Sequence, residues 1–369
     1  MEQDSTVRIL HVIGVMNRGG AETMVMNLYR NINRDKVQFD FVEHTAERAV
    51  FDDEIEQLGG RIYHCPKFTG KNYFAYRKWW DDFFKTNGSD YQIVHGHIGS
   101  TAAIYLAAAK KYGKYTIAHS HNTNGNISAK EIMYRALSQR VRNVADFFFA
   151  CSNPAGRDRF GNKIEFQILN NAIDTNQYAF SKAVRAEVRK EFNLSDELVV
   201  GHVGRFSGQK NHDFLIDIFA QIKKEKPTAK LLLVGDGAEK NNIKNKVHQL
   251  QLDDSVIFTG VRSDVNRLLQ AMDIFVFPSL FEGLPVTMVE AQAAGLPCVI
   301  SDKVPDECII TDNLVTIKSL SDSCEEWARH ILSKVNTVRI DTSDQIKEHG
   351  FDISETSKWL EEFYIEKAK

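Results

Sequence analysis

Short apolar runs alternate with longer amphipathic stretches along all 369 residues, and this alternation restricts the chain to layered α/β folds. In the first half the apolar runs fall at 8–15, 39–43, 61–64, 93–95, 116–118, 147–150 and 166–169. Helical patterns lie between them at 21–31, 52–58, 73–85, 101–111, 130–144 and 154–160. A second series begins after residue 190, with strands expected at 199–203, 230–234, 256–258, 274–277, 298–300 and 314–317. Its helices are expected at 211–224, 238–250, 265–270, 287–294 and 323–335. Strands separated by helices must be joined by crossovers, so both sheets are expected to be parallel. Residues 172–193 are polar and charged, without a strand of their own, and read as the junction. The sequence therefore predicts two Rossmann-like domains, 1–178 and 190–350, facing each other across a cleft.

Composition narrows the function. A 43% apolar and 26% charged chain with net charge −3 is globular and gives no basis for nucleic-acid binding. No stretch approaches the ~20 apolar residues that span a bilayer. The polar start, Met1–Thr6, gives no secretory signal. Five scattered cysteines form neither a disulfide framework nor a C-x-x-C pair, which points to a reducing cytoplasm.

The segment from Phe281 to Glu290 carries the most chemistry. Glu282 and Glu290 flank Gly283, Leu284 and Pro285, a turn that follows an apolar strand and opens a helix. Backbone N–H groups at such a helix start attract phosphate, while the carboxylates can accept from sugar hydroxyls. In parallel sheets, ligands bind beyond the strand C-termini, and the other candidate segments also lie at strand ends. Gly204 and Arg205, followed by Lys210, place a guanidinium fork and a mobile ammonium on one loop, a pair suited to a diphosphate. Gly19 and Gly20 precede a helix without completing a dinucleotide fingerprint or a P-loop. Gly235 turns the chain tightly before Asp236, a residue type that caps helices. Residues 170–174 read as a structural turn.

Histidines crowd two successive strand ends, His95 with His97 and His119 with His121. On an extended strand each such pair points to one face, a geometry zinc can use. No acidic ligand or cysteine pair has matching spacing, so no metal is assigned here. One histidine of each pair facing a cleft, and donating to a phosphate or sugar oxygen, fits the pattern better.

Together these segments resemble the retaining GT-B glycosyltransferases of glycosyltransferase family 4, with the motifs in that family's order over nearly the whole chain. Glu282 and Glu290 resemble its E-x7-E signature, Gly204-Arg205 with Lys210 its G-R-x4-K, and Gly19-Gly20 its N-terminal glycine loop. Residues 171–174 are similar to its N-G-I-D, with Ala172 in place of glycine. The resemblance implies that Glu290 binds the nucleotide ribose. It implies that Glu282 binds the transferred sugar with the amides of Gly283 and Leu284. It implies that Arg205 and Lys210 neutralise the diphosphate, with the Gly20 amide. Arg262 would sit beside the base, and His121, or His119 in its place, would be the family's cleft histidine. Catalytic roles then fall to His121, Glu282, Arg205 and Lys210. Gly235, Pro285 and the residues above complete the donor set.

The chain contains no Asp-x-Asp pair, so no metal and no other cofactor is expected. The resemblance also implies that the first domain binds the acceptor and that residues 354–369 pack back onto it. The expected activity is a retaining hexosyl- or N-acetylhexosaminyl-transfer from a nucleotide sugar, with a UDP-sugar first in order, to a glycan or polyprenyl-linked acceptor in cell-surface polysaccharide synthesis. Cations mixed with aromatics between Lys67 and Trp80 suit a peripheral contact with anionic lipid at the inner membrane face. The same pattern also suits a partly buried helix. Three rivals stand beside this function: a sugar-nucleotide epimerase of the same fold, a metal-dependent hydrolase using the histidine pairs, and a non-catalytic nucleotide-sugar-binding regulator.

Overall fold

The computed structural model describes residues 6–17, 19–121 and 139–369. The chain divides into two compact units, Met1–Ala172 with Asp352–Lys369, and Ile173–Phe351. Each is a Rossmann-like α/β unit around one parallel sheet, the GT-B class of construction.

The strands of the first unit are β1 (Val7–Ile13), β2 (Val37–Glu43), β3 (Ile62–His64), β4 (Ile93–Gly96), β5 (Tyr115–Ser120), β6 (Phe147–Ala150) and β7 (Gln167–Ile168). They pair in the order β3-β2-β1-β4-β5-β6-β7. Alternate residues serve opposite faces. Ile9, Phe39, Phe41, Ile93, Ile117 and Phe149 join one apolar cluster. Leu10, Val42, Val94, Ala118 and Ala150 join another, around Trp80 and Tyr105. Burial on both faces explains why these strands read as continuous apolar runs.

The final helix, Ile353–Lys367, starts at Asp352, whose side chain accepts from the Ser354 and Glu355 N–H groups. It packs on the first sheet. Phe363 lies 4.8 Å from Phe147 and 5.3 Å from Phe149 between ring centres, and Lys36 meets Glu361 at 3.0 Å. Burying side chains such as Leu360 and Phe363 contributes about 2 kcal/mol each.

The second unit contains β8 (Val199–Val203), β9 (Lys230–Val234), β10 (Val256–Gly260), β11 (Ile274–Phe277), β12 (Cys298–Ser301) and β13 (Val315–Lys318). Their order is β10-β9-β8-β11-β12-β13. The order reverses where β8 meets β11, the position at which open parallel sheets place their ligand sites beyond the strand C-termini.

Two sequence expectations differ here. Residues 172–193, read as a junction, form helices Thr175–Tyr178 and Lys182–Glu191, and from Ile173 onward they belong to the second unit. Their charge hid a docking function. Arg185 reaches the Gln270, Ala271 and Met272 carbonyls at 2.9–3.3 Å and Asp273 at 2.5 Å. Arg189 bonds Ala271 O at 3.0 Å. Guanidinium groups thereby satisfy the carbonyls left over where helix Val265–Ala271 ends. The helix expected at 130–144 falls mostly outside the described residues, and its described end, Arg140–Asn143, is a 3-10 turn. No helix among the described residues is long and apolar enough to cross a membrane.

Candidate functional site

At the β8/β11 reversal the loop after β8 carries Gly204, Arg205 and Lys210, and the loop after β11 carries Glu282. Lys210 Nζ lies 2.7 Å from Glu282 Oε1 and 4.5 Å from the centre of the Phe277 ring. Further hydrogen bonds tie the two loops. Gln209 Nε2 donates to Phe281 O at 2.9 Å and to Glu282 Oε2 at 3.2 Å, and the Leu280 N–H donates to Gln209 O at 2.8 Å. Asn211, in the left-handed region at φ 55°, donates from Nδ2 to Pro278 O at 3.1 Å. Arg205 is exposed, and its guanidinium makes no ion pair among the described residues.

The Gly204–Phe206 backbone is strapped to the loop after β9. The Gly204 N–H donates to Val234 O and the Phe206 N–H to Asp236 O, both at 3.0 Å. Gly235 is required here. Its φ is +137°, and a Cβ would stand 2.1 Å from Gly204 O. Asp236, expected as a cap, instead pairs with Lys240 at 2.5 Å and accepts from the Gly237 N–H at 2.7 Å.

Pro285 is the N-cap of helix Val286–Ala293, and no side chain caps this helix start. Gly283 and Leu284 are buried on the approach to it. Glu290, buried within the helix, accepts from the Tyr178 hydroxyl at 2.7 Å through Oε1. Burial pushes its carboxyl up to about 7, against the opposing hydrogen bond from Tyr178. Its second oxygen makes no hydrogen bond among the described residues. Arg262 forks onto Asp264 with two contacts of 2.8 Å and reaches Glu191 at 3.2 Å. Its guanidinium is thus held by neighbouring carboxylates.

Sequence reasoning missed Tyr178, Gln209 and Phe277 as members of this group. Tyr178 sits in the segment read as a junction. Gln209 lies inside the quoted G-R-x4-K stretch, where its polarity was the available signal.

In the first unit, Gly19 (φ −127°) and Gly20 adopt conformations open to any residue, and a Cβ on Gly20 would meet nothing within 4 Å. The turn before them is held by the Met16 N–H, which donates to buried Glu43 at 2.9 Å. Burial raises the Glu43 carboxyl to about 7.

The histidine pairs gather on one face of three adjacent strands. His11 on β1 stands opposite His95 on β4. His97 connects its neighbours, with Nε2 2.9 Å from His11 Nδ1 and Nδ1 2.8 Å from His121 Nε2. His95 Nδ1 lies 2.6 Å from the Tyr364 hydroxyl of the final helix. Burial, and second the charge of Arg159, lower His121 to about 3. Burial likewise drives His11, His95, His97 and His119 well below the ordinary imidazole range. All five are therefore neutral at physiological pH. Both members of each H-x-H pair join the cluster; in each pair one is packed, His95 and His119, and the other is half-buried, His97 and His121. His11 was missed, because a lone histidine in a strand carries no spacing signal.

The aromatic-cationic stretch divides. Tyr76 and Trp80 are core residues, while Phe74 is 84% exposed and Lys67, Lys71, Arg77 and Lys78 are exposed.

Residues 18–177 match Glycosyltransferase Family 4, and residues 184–337 match Glycosyl transferases group 1. The glycosyltransferase-family protein EpsF of Bacillus subtilis is 37% identical over 339 residues, covering 89% of this chain and 87% of its own. The Escherichia coli UDP-Gal:alpha-D-GlcNAc-diphosphoundecaprenol alpha-1,3-galactosyltransferase is 24% identical over 294 residues, covering 75% and 76%. Among solved structures, Anabaena Alr3699/HepE in complex with UDP-glucose aligns over 97% of this chain and 99% of its own. It has a TM-score of 0.80 at 20% identity, a likeness of fold.

Proposed function

The chain belongs to glycosyltransferase family 4, and from that premise we propose that it moves a hexosyl or N-acetylhexosaminyl group, with retention, from a UDP-sugar to a glycan or polyprenyl-linked acceptor in cell-surface polysaccharide synthesis. The observation that carries this proposal is the Lys210–Glu282 pair at the strand-order reversal of the second unit, in the unit that also buries Glu290. The UDP-sugar donor and diphosphoundecaprenol-linked acceptor named for the Escherichia coli relative, and the UDP-glucose bound by HepE, support the choice of substrates.

In this mechanism Arg205 and Lys210 receive the diphosphate. Breaking the sugar–phosphate bond builds negative charge on the leaving oxygens and positive character on the ring. Cations fixed by the protein stabilise the first without reorganising. Glu282 orients Lys210 and accepts from hydroxyls of the transferred sugar. Glu290 accepts from the ribose hydroxyls through the oxygen that Tyr178 leaves available. The acceptor hydroxyl attacks on the face the diphosphate leaves, and its proton passes to the departing phosphate oxygen. His121, half-buried and neutral, is assigned as a hydrogen-bond donor to substrate, and the acceptor is assigned to the first unit. No metal or other cofactor is assigned to the transfer. The exposed Phe74, with exposed cations near it in sequence, is assigned to contact with anionic lipid.

The deciding experiment is a thermal-shift panel of UDP-, GDP- and ADP-sugars, followed by transfer assays with whichever binds. A ligand that binds only the folded protein raises its melting temperature. A shift with UDP-sugars is expected, and none with any nucleotide sugar would overturn the proposal.

A further inference from the structure

The five-histidine face of the first unit has a property that sugar transfer does not call for. His97, His119 and His121 each offer a ring nitrogen, and these atoms lie within 4.8 Å of one another. Ring centres are 4.0 Å apart for His119 and His121 and 5.0 Å apart for His97 and His121. Buried His119 keeps an Nε2 with no partner among the described residues, as does the Nε2 of His11. An orphaned imidazole nitrogen in a dry interior is costly, so several side by side require an account.

We propose that His97, His119 and His121 bind one borderline transition-metal cation of the Zn2+, Ni2+ or Cu2+ type. The donor set selects the class. Imidazole suits these ions, whereas Mg2+ and Ca2+ demand oxygen ligands, and neither group of this cluster includes a carboxylate. The bonded chain also supplies an outer partner. When His97 Nε2–H donates to His11 Nδ1, at 2.9 Å, its Nδ1 lone pair is released toward the ion. His121 then carries its proton on Nδ1 and offers Nε2, so the ligands bind as neutral rings after a tautomer shift. The alternative trio, His11, His95 and His97, lies deeper, with two members fully buried. The chosen trio includes half-buried His97 and His121, which admit an ion from solvent.

This site shares His121 with the proposed transfer chemistry and is tested by binding alone, so its failure and that of the transferase reading are distinguishable. Metal-free protein without an affinity tag is titrated with Zn2+ against a chromogenic chelator, and with Co2+ in the visible. One saturating equivalent is expected, with the intense Co2+ bands of a nitrogen-ligated, low-coordinate ion. His97→Gln and His121→Gln should abolish that equivalent, and His11→Gln should weaken it about 10–100-fold, as loss of an outer partner does. Exposed His248→Gln should leave it unchanged. Far-UV dichroism without metal confirms that each variant is folded, and the Co2+ spectrum of the wild type is informative even where a variant does not fold. Absence of a saturable equivalent, octahedral Co2+ spectra, or undiminished binding in folded His97→Gln or His121→Gln would each overturn the assignment.

Discussion

The ammonium of Lys210 is held 2.7 Å from the carboxylate of Glu282, and both side chains are largely shielded from water. The pair joins the loops after β8 and β11, strands adjacent in the sheet but separated by 70 residues of chain between Val203 and Ile274. Two consequences can be separated. Lys210→Ala removes the cation beside buried Glu282, a loss of about 3 kcal/mol of stability. It also removes a cation from the leaving diphosphate, which should slow transfer by about 10²-fold or more. The double variant Lys210→Ala with Glu282→Ala should recover much of the stability but none of the rate. Chemical denaturation and turnover measured on the same preparations check this, and near wild-type turnover of Lys210→Ala would remove the lysine from the mechanism.

That pair was legible in the sequence because each residue follows an apolar run, and a run's end is where a parallel sheet presents its loops. The strands themselves were legible for the same reason, since burial on both faces leaves uninterrupted apolar runs. Tyr178 was not legible. Its segment is polar and charged because Arg185 and Arg189 cap a helix C-terminus elsewhere in the unit, and a sequence does not show which carbonyls a guanidinium will reach. The H-x-H pairs announced a shared face through their two-residue spacing. The part played by His11 depends on the β1–β4 register, a long-range property.

Glycine substitutions should separate backbone need from open space. Gly235→Ala must place a Cβ 2.1 Å from Gly204 O at a φ of +137°. Displacing that backbone also displaces Arg205. We expect a markedly lower melting temperature and weaker UDP binding. Gly20→Ala meets nothing within 4 Å, so its melting temperature should stay close to wild type. If it impairs transfer, the cause is lost access to the Gly20 amide. Equal destabilisation of the two variants would contradict this account.

Chelation should leave transfer intact. Arg205 and Lys210 are assigned the charge neutralisation that a divalent ion would otherwise supply, and no Asp-x-Asp is present to hold one. Turnover in excess EDTA, with and without added Mg2+, tests this. Complete loss on chelation, restored by Mg2+, would return the diphosphate chemistry to a metal.

The exposed ring of Phe74 and its neighbouring cations should favour anionic bilayers. Phe74→Glu should lower co-sedimentation with vesicles containing phosphatidylglycerol while leaving the melting temperature unchanged, since the ring is 84% exposed. Binding should also weaken as salt rises, because the cations act through screened charge. Indifference to both Phe74→Glu and salt would exclude this surface.

Glu290 links stability to pH in a direction that follows from its environment. Burial raises its carboxyl from 4.5 to about 7. The fold therefore favours the protonated form, so the residue is without penalty below about pH 4.5. The penalty grows as pH rises and is complete above about 7, where it reaches on the order of 3 kcal/mol. Glu290→Gln keeps a neutral acceptor for the Tyr178 hydroxyl at every pH. Wild type and variant should match in stability near pH 5, and the variant should be the more stable near pH 8.5. UDP affinity should move the opposite way: Glu290→Gln loses a charge-assisted bond to ribose and binds about 10-fold or more weakly at pH 8.5. Wild-type affinity should itself fall as pH drops through 7. Denaturation and UDP titration at both pH values decide the matter. A stability difference independent of pH would contradict the buried carboxyl, and unchanged UDP affinity in the variant would remove Glu290 from the nucleotide site.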